Sequence, residues 1–184
     1  AASNPAVSEV GATSLIPGGG WNFGLDAINP DFPLDTVQSS FFDINSSTLD
    51  VLDLKLLAGK NLPVEGSENL VLINEFAVKT FNLESIDQAV GKQLTLEENG
   101  EFTNVQVAGV VRDFQFLSPD RERESLVLRN RNEAMGFALV KVSGQNPTQT
   151  LASLEAAWKE VNLDSKFSYK YLDQELLFLH QVLG

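Results

Sequence analysis

The chain has 184 residues, a formal net charge of −12 at pH 7, a single histidine and no cysteine. This excludes a disulfide framework, a thiolate zinc site and a cysteine nucleophile, and it argues against nucleic acid as a partner, because phosphate contacts need Lys and Arg. Hydrophobic residues make up 43% and include 12 Phe. A chain of this size buries about 70% of its unfolded surface, so one domain, or two closely packed subdomains, is expected.

Pro5 to Ile16 alternates loosely through Val7, Val10 and Ala12 and predicts a strand, closed by Pro17-Gly18-Gly19-Gly20. No Gly-Lys-Ser/Thr follows the triple glycine. The only other candidate, Gly91-Lys92-Gln93, lacks the hydroxyl residue and has Ile86 where the upstream glycine belongs, so nucleotide binding is not expected. Trp21 to Pro33 reads as a long loop whose aromatics, Trp21, Phe23 and Phe32, either pin it to the core or form a ligand lip. Thr36 to Asp43 predicts a second strand, and Ser46-Ser47-Thr48 caps a helix over Leu49, Leu52 and Leu56. Ala58-Gly59-Lys60 then forms a turn. The first 54 residues contain no Lys or Arg, and by the positive-inside rule a cation-free segment beside a membrane belongs on its outer side.

Asn69 to Ser118 organises the chain. Leu70-Val71-Leu72-Ile73 is short and β-branched enough for a buried strand. Asn74 suits an N-cap, Glu75 favours the positive end of the helix dipole, and Ala77, Val78 and Phe81 give one apolar face. A turn from Ser85 to Gly91 follows, with Gly91 placed for a left-handed conformation. Gln93 to Leu96 alternates as a strand, Asn99-Gly100 carries the hairpin signal, and Val105, Val107 and Val111 share one face of the return strand. Phe114 and Phe116 lie on the opposite parity, which predicts a one-residue bulge near Arg112-Asp113.

Asp120-Arg121-Glu122-Arg123-Glu124, with Arg129 and Arg131 beyond, reads as a solvated loop or as a cationic patch. In the second case Arg121, Arg123, Arg129 and Arg131 are the candidate contacts to an acidic partner. Phe137 to Val142 predicts a strand. Asn146-Pro147 opens a helix carrying Leu151, Leu154, Trp158 and Val161 on one stripe, and Phe167, Tyr169 and Tyr171 in phase predict a closing strand, completing a βαβ unit. Leu176 to Leu183 reads either as an amphipathic helix on the core or as the start of a helix continuing into a bilayer. No stretch reaches the ~20 apolar residues of a membrane span. The start at Ala1 fits an excised fragment. His180 is expected to be a surface or packing residue. The acid pairs Asp50 with Asp53 and Glu97 with Glu98 serve hydrolysis only where a cleft brings two carboxylates together. No catalytic, cofactor-binding or metal-binding residue is assigned.

Val71-Leu72-Ile73-Asn74-Glu75, Ala89-Val90-Gly91-Lys92 and Gly109-Val110-Val111-Arg112-Asp113-Phe114 follow Phe42-Asp43 and Leu57-Ala58-Gly59-Lys60. In that order they resemble the extracytoplasmic core domain of MacB/FtsX-type ABC transporter permeases. Two departures stand out: Lys60 replaces the family's usual arginine, and Pro119 comes at once after the Phe-rich strand. The resemblance implies an α+β fold. A discontinuous, porter-like, βαβ-containing subdomain would span 1–60 and 134–184, and a small β-rich subdomain would be inserted at 61–133. It implies a non-catalytic domain on the periplasmic face of a bacterial inner membrane, coupling movement of flanking transmembrane helices to substrate or partner handling. Its implied partners are a cytoplasmic ATPase subunit, a second permease copy and a periplasmic adaptor protein, with no cofactor. Gly59 and Gly136, at the two crossings between subdomains, are candidate hinges. Two other readings stay open: an autonomous ligand- or peptide-binding module built on the glycine-rich loop, and a hydrolase using paired carboxylates.

Overall fold

The computed structural model describes residues 5–17, 23–65, 68–114, 123–143, 146–161 and 166–174. In chain order its elements are β1 (Val7–Thr13), β2 (Phe23–Ile28), β3 (Thr36–Asp43), α1 (Thr48–Val51), β4 (Leu56–Gly59), β5 (Leu70–Asn74), α2 (Glu75–Thr80), α3 (Ile86–Ala89), β6 (Gln93–Glu98), β7 (Glu101–Val111), β8 (Leu126–Arg129), β9 (Phe137–Val142) and α4 (Pro147–Val161).

Six of the strands close a ring, in the order β7-β5-β8-β3-β2-β6 and back to β7, with β4 added on the free flank of β7. Closure removes the exposed edges that an open sheet of this size would present. Strand parity fills the inside. Leu25, Ala27, Phe41, Val71, Ile73, Leu94, Leu96, Val105, Val107, Val110 and Val127 form its core, closed at the upper end by Ala77, Val78 and Phe81 of the α2 region. A second core lies on the outer face, where Phe42, Leu72, Val111, Leu126 and Leu128 meet Leu49 of α1 and Leu62.

The central stretch folds as its local chemistry dictates. Asn74 caps α2, its side chain accepting from Ala77 N at 3.1 Å. The same oxygen accepts from Leu126 N at 2.9 Å, and the amide donates to Glu124 O at 3.0 Å. One side chain thus fixes a helix start and the entry of β8. Gly91 is left-handed at φ 86°, and Asn99 and Gly100 both have positive φ, 55° and 86°, as a type I′ hairpin turn between β6 and β7 requires.

Four expectations need correction. The bulge lies at Ala108, where Val71 pairs Val107 but Leu72 pairs Gly109, so Val111 faces the outer core and not the side of Val105 and Val107. The shift comes earlier because Gly109 lets the backbone of β7 press on β4: a side chain there would sit 2.8 Å from both the Ala58 and the Lys60 carbonyl oxygens. The segment read as a loop from Trp21 contains β2, whose Leu25 and Ala27 point into the ring. Helix α1 stops at Val51, with Asp53 turned to φ 52°, and Leu56 begins β4 instead. Finally, Phe167 to Tyr171 joins neither sheet, so β1 and β9 form a two-stranded antiparallel ribbon rather than part of a βαβ unit.

Hydrogen bonding also runs across residue 60. Strands β2, β3 and β4, which precede it, pair in one sheet with β5 to β8. The ribbon attaches at the lower end of β3 through the Thr13–Ile44 bridge and through Asn45, whose side chain accepts from Ala12 N at 3.0 Å. Thr48 adds a bond from its hydroxyl to Ala12 O at 2.7 Å.

Candidate functional site

The alternation that buries Phe41, Val127 and Leu96 also turns Asp43, Arg129 and Glu98 inward, two residues further along β3, β8 and β6. These three charged groups meet at the lower end of the barrel. Arg129 donates from Nε to Asp43 Oδ1 at 2.9 Å, from a terminal nitrogen to Asp43 Oδ2 at 3.1 Å, and from the other to Glu98 Oε2 at 2.7 Å. Its guanidinium lies 3.9 Å from the Phe41 ring centroid, and Phe23 stacks on Phe41 at 5.6 Å. Side-chain exposure is 7% for Arg129 and 5% for Asp43. Burial of this kind is tolerated because both carboxylate oxygens of Asp43 and three guanidinium N–H groups are engaged. Arg131 approaches Glu98 at 3.5 Å from the solvent side, so two cations balance two carboxylates.

The ribbon is anchored on the same spot. Ser14 Oγ accepts from the backbone N–H of Asp43 at 2.9 Å, Ser14 N donates to Asp43 O at 2.8 Å, and Ile44 N donates to Arg129 O at 2.7 Å. Junction and ion network are therefore one connected structure.

This geometry takes Arg129 out of any surface patch. Arg123 is mostly exposed and lies 3.7 Å from Asp113, which accepts from Phe76 N at the start of α2. Arg131 lies at the opposite end of β8, beside Glu98. Arg121 is outside the described residues, as are Gly18 to Gly20, Trp21 and His180. Arg129 and Arg131 meet on Glu98, Arg129 buried and Arg131 from outside, while Arg123 lies apart beside Asp113, so the described arginines do not form one surface patch.

The two glycines differ as well. Gly59 has φ 77°, and a methyl group there would collide with the Ala108 carbonyl oxygen and approach the Gly109 Cα at 2.7 Å. It holds a fixed turn. Gly136 donates its N–H to Thr13 O at 3.0 Å, has no positive φ, and leaves room for a Cβ, whose nearest neighbour would be the Ser14 carbonyl oxygen at 3.4 Å. It stands where the chain leaves the barrel for the ribbon.

A surface cleft of about 630 Å³ opens between β1, α1 and β9, lined by Ser8, Glu9, Leu49, Asp50, Asp53, Leu54, Lys55 and Lys141. It brings together the Asp50–Asp53 pair. Lys141 Nζ, however, lies 2.6 Å from Asp53 Oδ1 and donates to Asp50 O at 3.3 Å. Glu97 and Glu98 point to opposite faces of β6, Glu97 accepting from Gly100 N and Glu98 pairing with Arg129. Glu97 and Glu98 therefore do not face each other as the two carboxylates of glycoside hydrolysis do, and in the cleft Asp53 is engaged by Lys141.

No protein-family model matches the chain, and no curated protein sequence does. Solved structures do. The periplasmic region of MacB from Actinobacillus actinomycetemcomitans superposes with a TM-score of 0.63 at 17% identity, spanning 100% of this chain and 80% of that one. The extracellular domain of the noncanonical ABC-type transporter YknZ from Gram-positive bacteria gives 0.58 at 15% identity, over 89% of this chain and 80% of the other. A domain of a Porphyromonas gingivalis protein described as a permease gives 0.60 at 15%, over 95% and 85%. The chain thus has the α+β fold shared by these three domains.

Proposed function

We propose that the chain is the extracytoplasmic domain of an ABC transporter permease and has no catalytic role of its own. The likeness to the MacB periplasmic region over the whole chain carries this reading. In support, three separately solved domains from transporters or a permease share the fold. The parent protein would lie in the inner membrane with this domain on its outer side. A cytoplasmic ATPase would supply the energy, and a second permease copy and a periplasmic adaptor would complete the assembly. Among the described residues no helix is long and apolar enough to cross a membrane.

Within this reading the domain transmits motion. The rigid part is the barrel, sealed below by the Arg129 network; the base of the ribbon is held there at Ser14, and its far end swings relative to the barrel with Gly136 as the backbone pivot. This division, barrel against ribbon, replaces a boundary at residue 60. The deciding experiment is purification of the intact parent protein from membranes. Co-purification with an ATP-hydrolysing subunit, whose turnover falls when residues 1–184 are deleted, is the expected result. A parent protein that is recovered without any such subunit, and without membrane association, would overturn the proposal.

A further inference from the structure

The rings of Trp158, Phe167, Tyr169 and Tyr171 follow one another with centroid separations of 6.5, 5.9 and 5.6 Å. The row belongs to neither sheet and to neither core. Tyr169 is 54% exposed, Tyr171 38%, and Val161, at the end of α4, 80%. Aromatic rings placed in phase normally bury their faces in a core. Here Tyr169 and Tyr171 lie open to solvent with Trp158 and Phe167 half-buried behind them, so the row presents apolar ring bodies with the polar tips of its tyrosines outward, which suits a boundary between water and hydrocarbon.

The charges in the strip run against those of the whole chain. Residues 166–171 contain Lys166 and Lys170, both exposed, and no acid, within a chain of net charge −12. The apolar run Leu176 to Leu183 begins five residues after Tyr171. Leu172 to Glu175, with the acids Asp173 and Glu175, separates the two, and tyrosine and lysine upstream of an apolar run is an order of residues found where a chain approaches a bilayer.

We infer that the strip Trp158, Phe167, Tyr169, Tyr171, with Lys166 and Lys170, rests on the lipid headgroups of the outer leaflet. The inference builds on the extracytoplasmic reading above and names its contact surface. The rings lie at headgroup level and the two ammonium groups meet lipid phosphates, which holds the domain at a fixed attitude to the membrane. Repulsion of the acidic remainder from anionic lipid keeps the barrel raised.

The test uses the 184-residue chain carrying Trp21→Phe, so that Trp158 is its only tryptophan. It is mixed with vesicles of phosphatidylethanolamine and phosphatidylglycerol in equal parts, with bromine on the acyl chains as the quencher. Quenching of Trp158 is expected. Lys166→Gln with Lys170→Gln should weaken binding about fivefold per lysine, and Tyr169→Ser with Tyr171→Ser should weaken it at least as much. Circular dichroism confirms that the variants are folded. Absence of quenching in the parent chain would overturn the inference. So would unchanged affinity in both double variants, which would assign binding to the apolar run alone. A chain ending at Gln174 that still shows quenching, reduced by the same substitutions, supports it directly. Because vesicle binding needs no ATPase, failure of the permease reading and failure of this contact register in different experiments.

Discussion

Arg129 and Asp43 are directly paired residues on the parallel strands β8 and β3, and their side chains meet in a two-point contact of 2.9 and 3.1 Å inside the barrel. The pair closes the lower end of the barrel. Replacing Arg129 by alanine strands Asp43 without a counter-charge, and breaking a buried pair in this way costs about 3–5 kcal/mol. Urea denaturation should show that loss. Arg129→Met together with Asp43→Leu should be less damaging than Arg129→Ala alone, because the uncompensated charge is then absent. Arg131→Ala, which removes only the solvent-side contact to Glu98, should cost under about 1 kcal/mol.

Asn74 invites a similar test at the upper end. Its side chain makes three hydrogen bonds, to Ala77, Leu126 and Glu124, while 2% exposed. Asn74→Ala loses the cap of α2 and leaves Leu126 N unsatisfied, for a combined cost of roughly 2–4 kcal/mol. Asn74→Asp retains the acceptor but not the amide donor, and should recover part of that. Equal losses in the two variants would mean that the bond to Glu124 dominates.

Val107 is 1% exposed in the barrel interior, whereas Phe102 on the same strand is 68% exposed. Val107→Asp should therefore cost several kcal/mol, since it buries an unpaired carboxylate. Phe102→Ser should stay within about 0.5 kcal/mol of the parent, as is usual for a surface position. Thermal denaturation of the two variants checks the register of β7. Similar melting temperatures would place the strand one residue out of phase.

The elements that were legible in the sequence carried their own local signals. Strand β3, the Asn74 cap, the Asn99-Gly100 turn and the Asn146-Pro147 helix start each depend on residues close together in the chain. Strand β2 was hidden because Gly24 and Asp26, on its outward face, have low strand propensity and Gly18 to Gly20 precede it. Closure of the ring was not legible, since it depends on β6 finding β2 across more than 60 residues of sequence, and no local preference encodes that. The ion network left a trace that parity reasoning exposes. Asp43 and Arg129 each continue the inward phase of a buried strand, where a charged residue implies a charged partner. Grouping Arg129 with the surface arginines of its neighbourhood followed charge alone and ignored its strand.

The two glycines supply the last prediction. Both are candidate hinges by their place in the sequence, yet their geometry assigns them different roles. At Gly59 the backbone is left-handed at φ 77°, and its missing Cβ is what lets the β4 turn rest on Ala108 and Gly109. Alanine there meets backbone on both counts, and neither atom belongs to a side chain able to move aside. Gly59→Ala should cost more than the roughly 1 kcal/mol of a left-handed alanine alone, and the excess reports the clash. At Gly136 alanine is accommodated, so Gly136→Ala should leave the melting temperature of the domain nearly unchanged. If the ribbon moves about Gly136 in the parent permease, the same substitution restricts the backbone there and lowers coupled ATP turnover while the domain stays fully folded. Intact stability with intact turnover would show that Gly136 is no hinge. Lost stability would show that it holds a fixed turn, as Gly59 does.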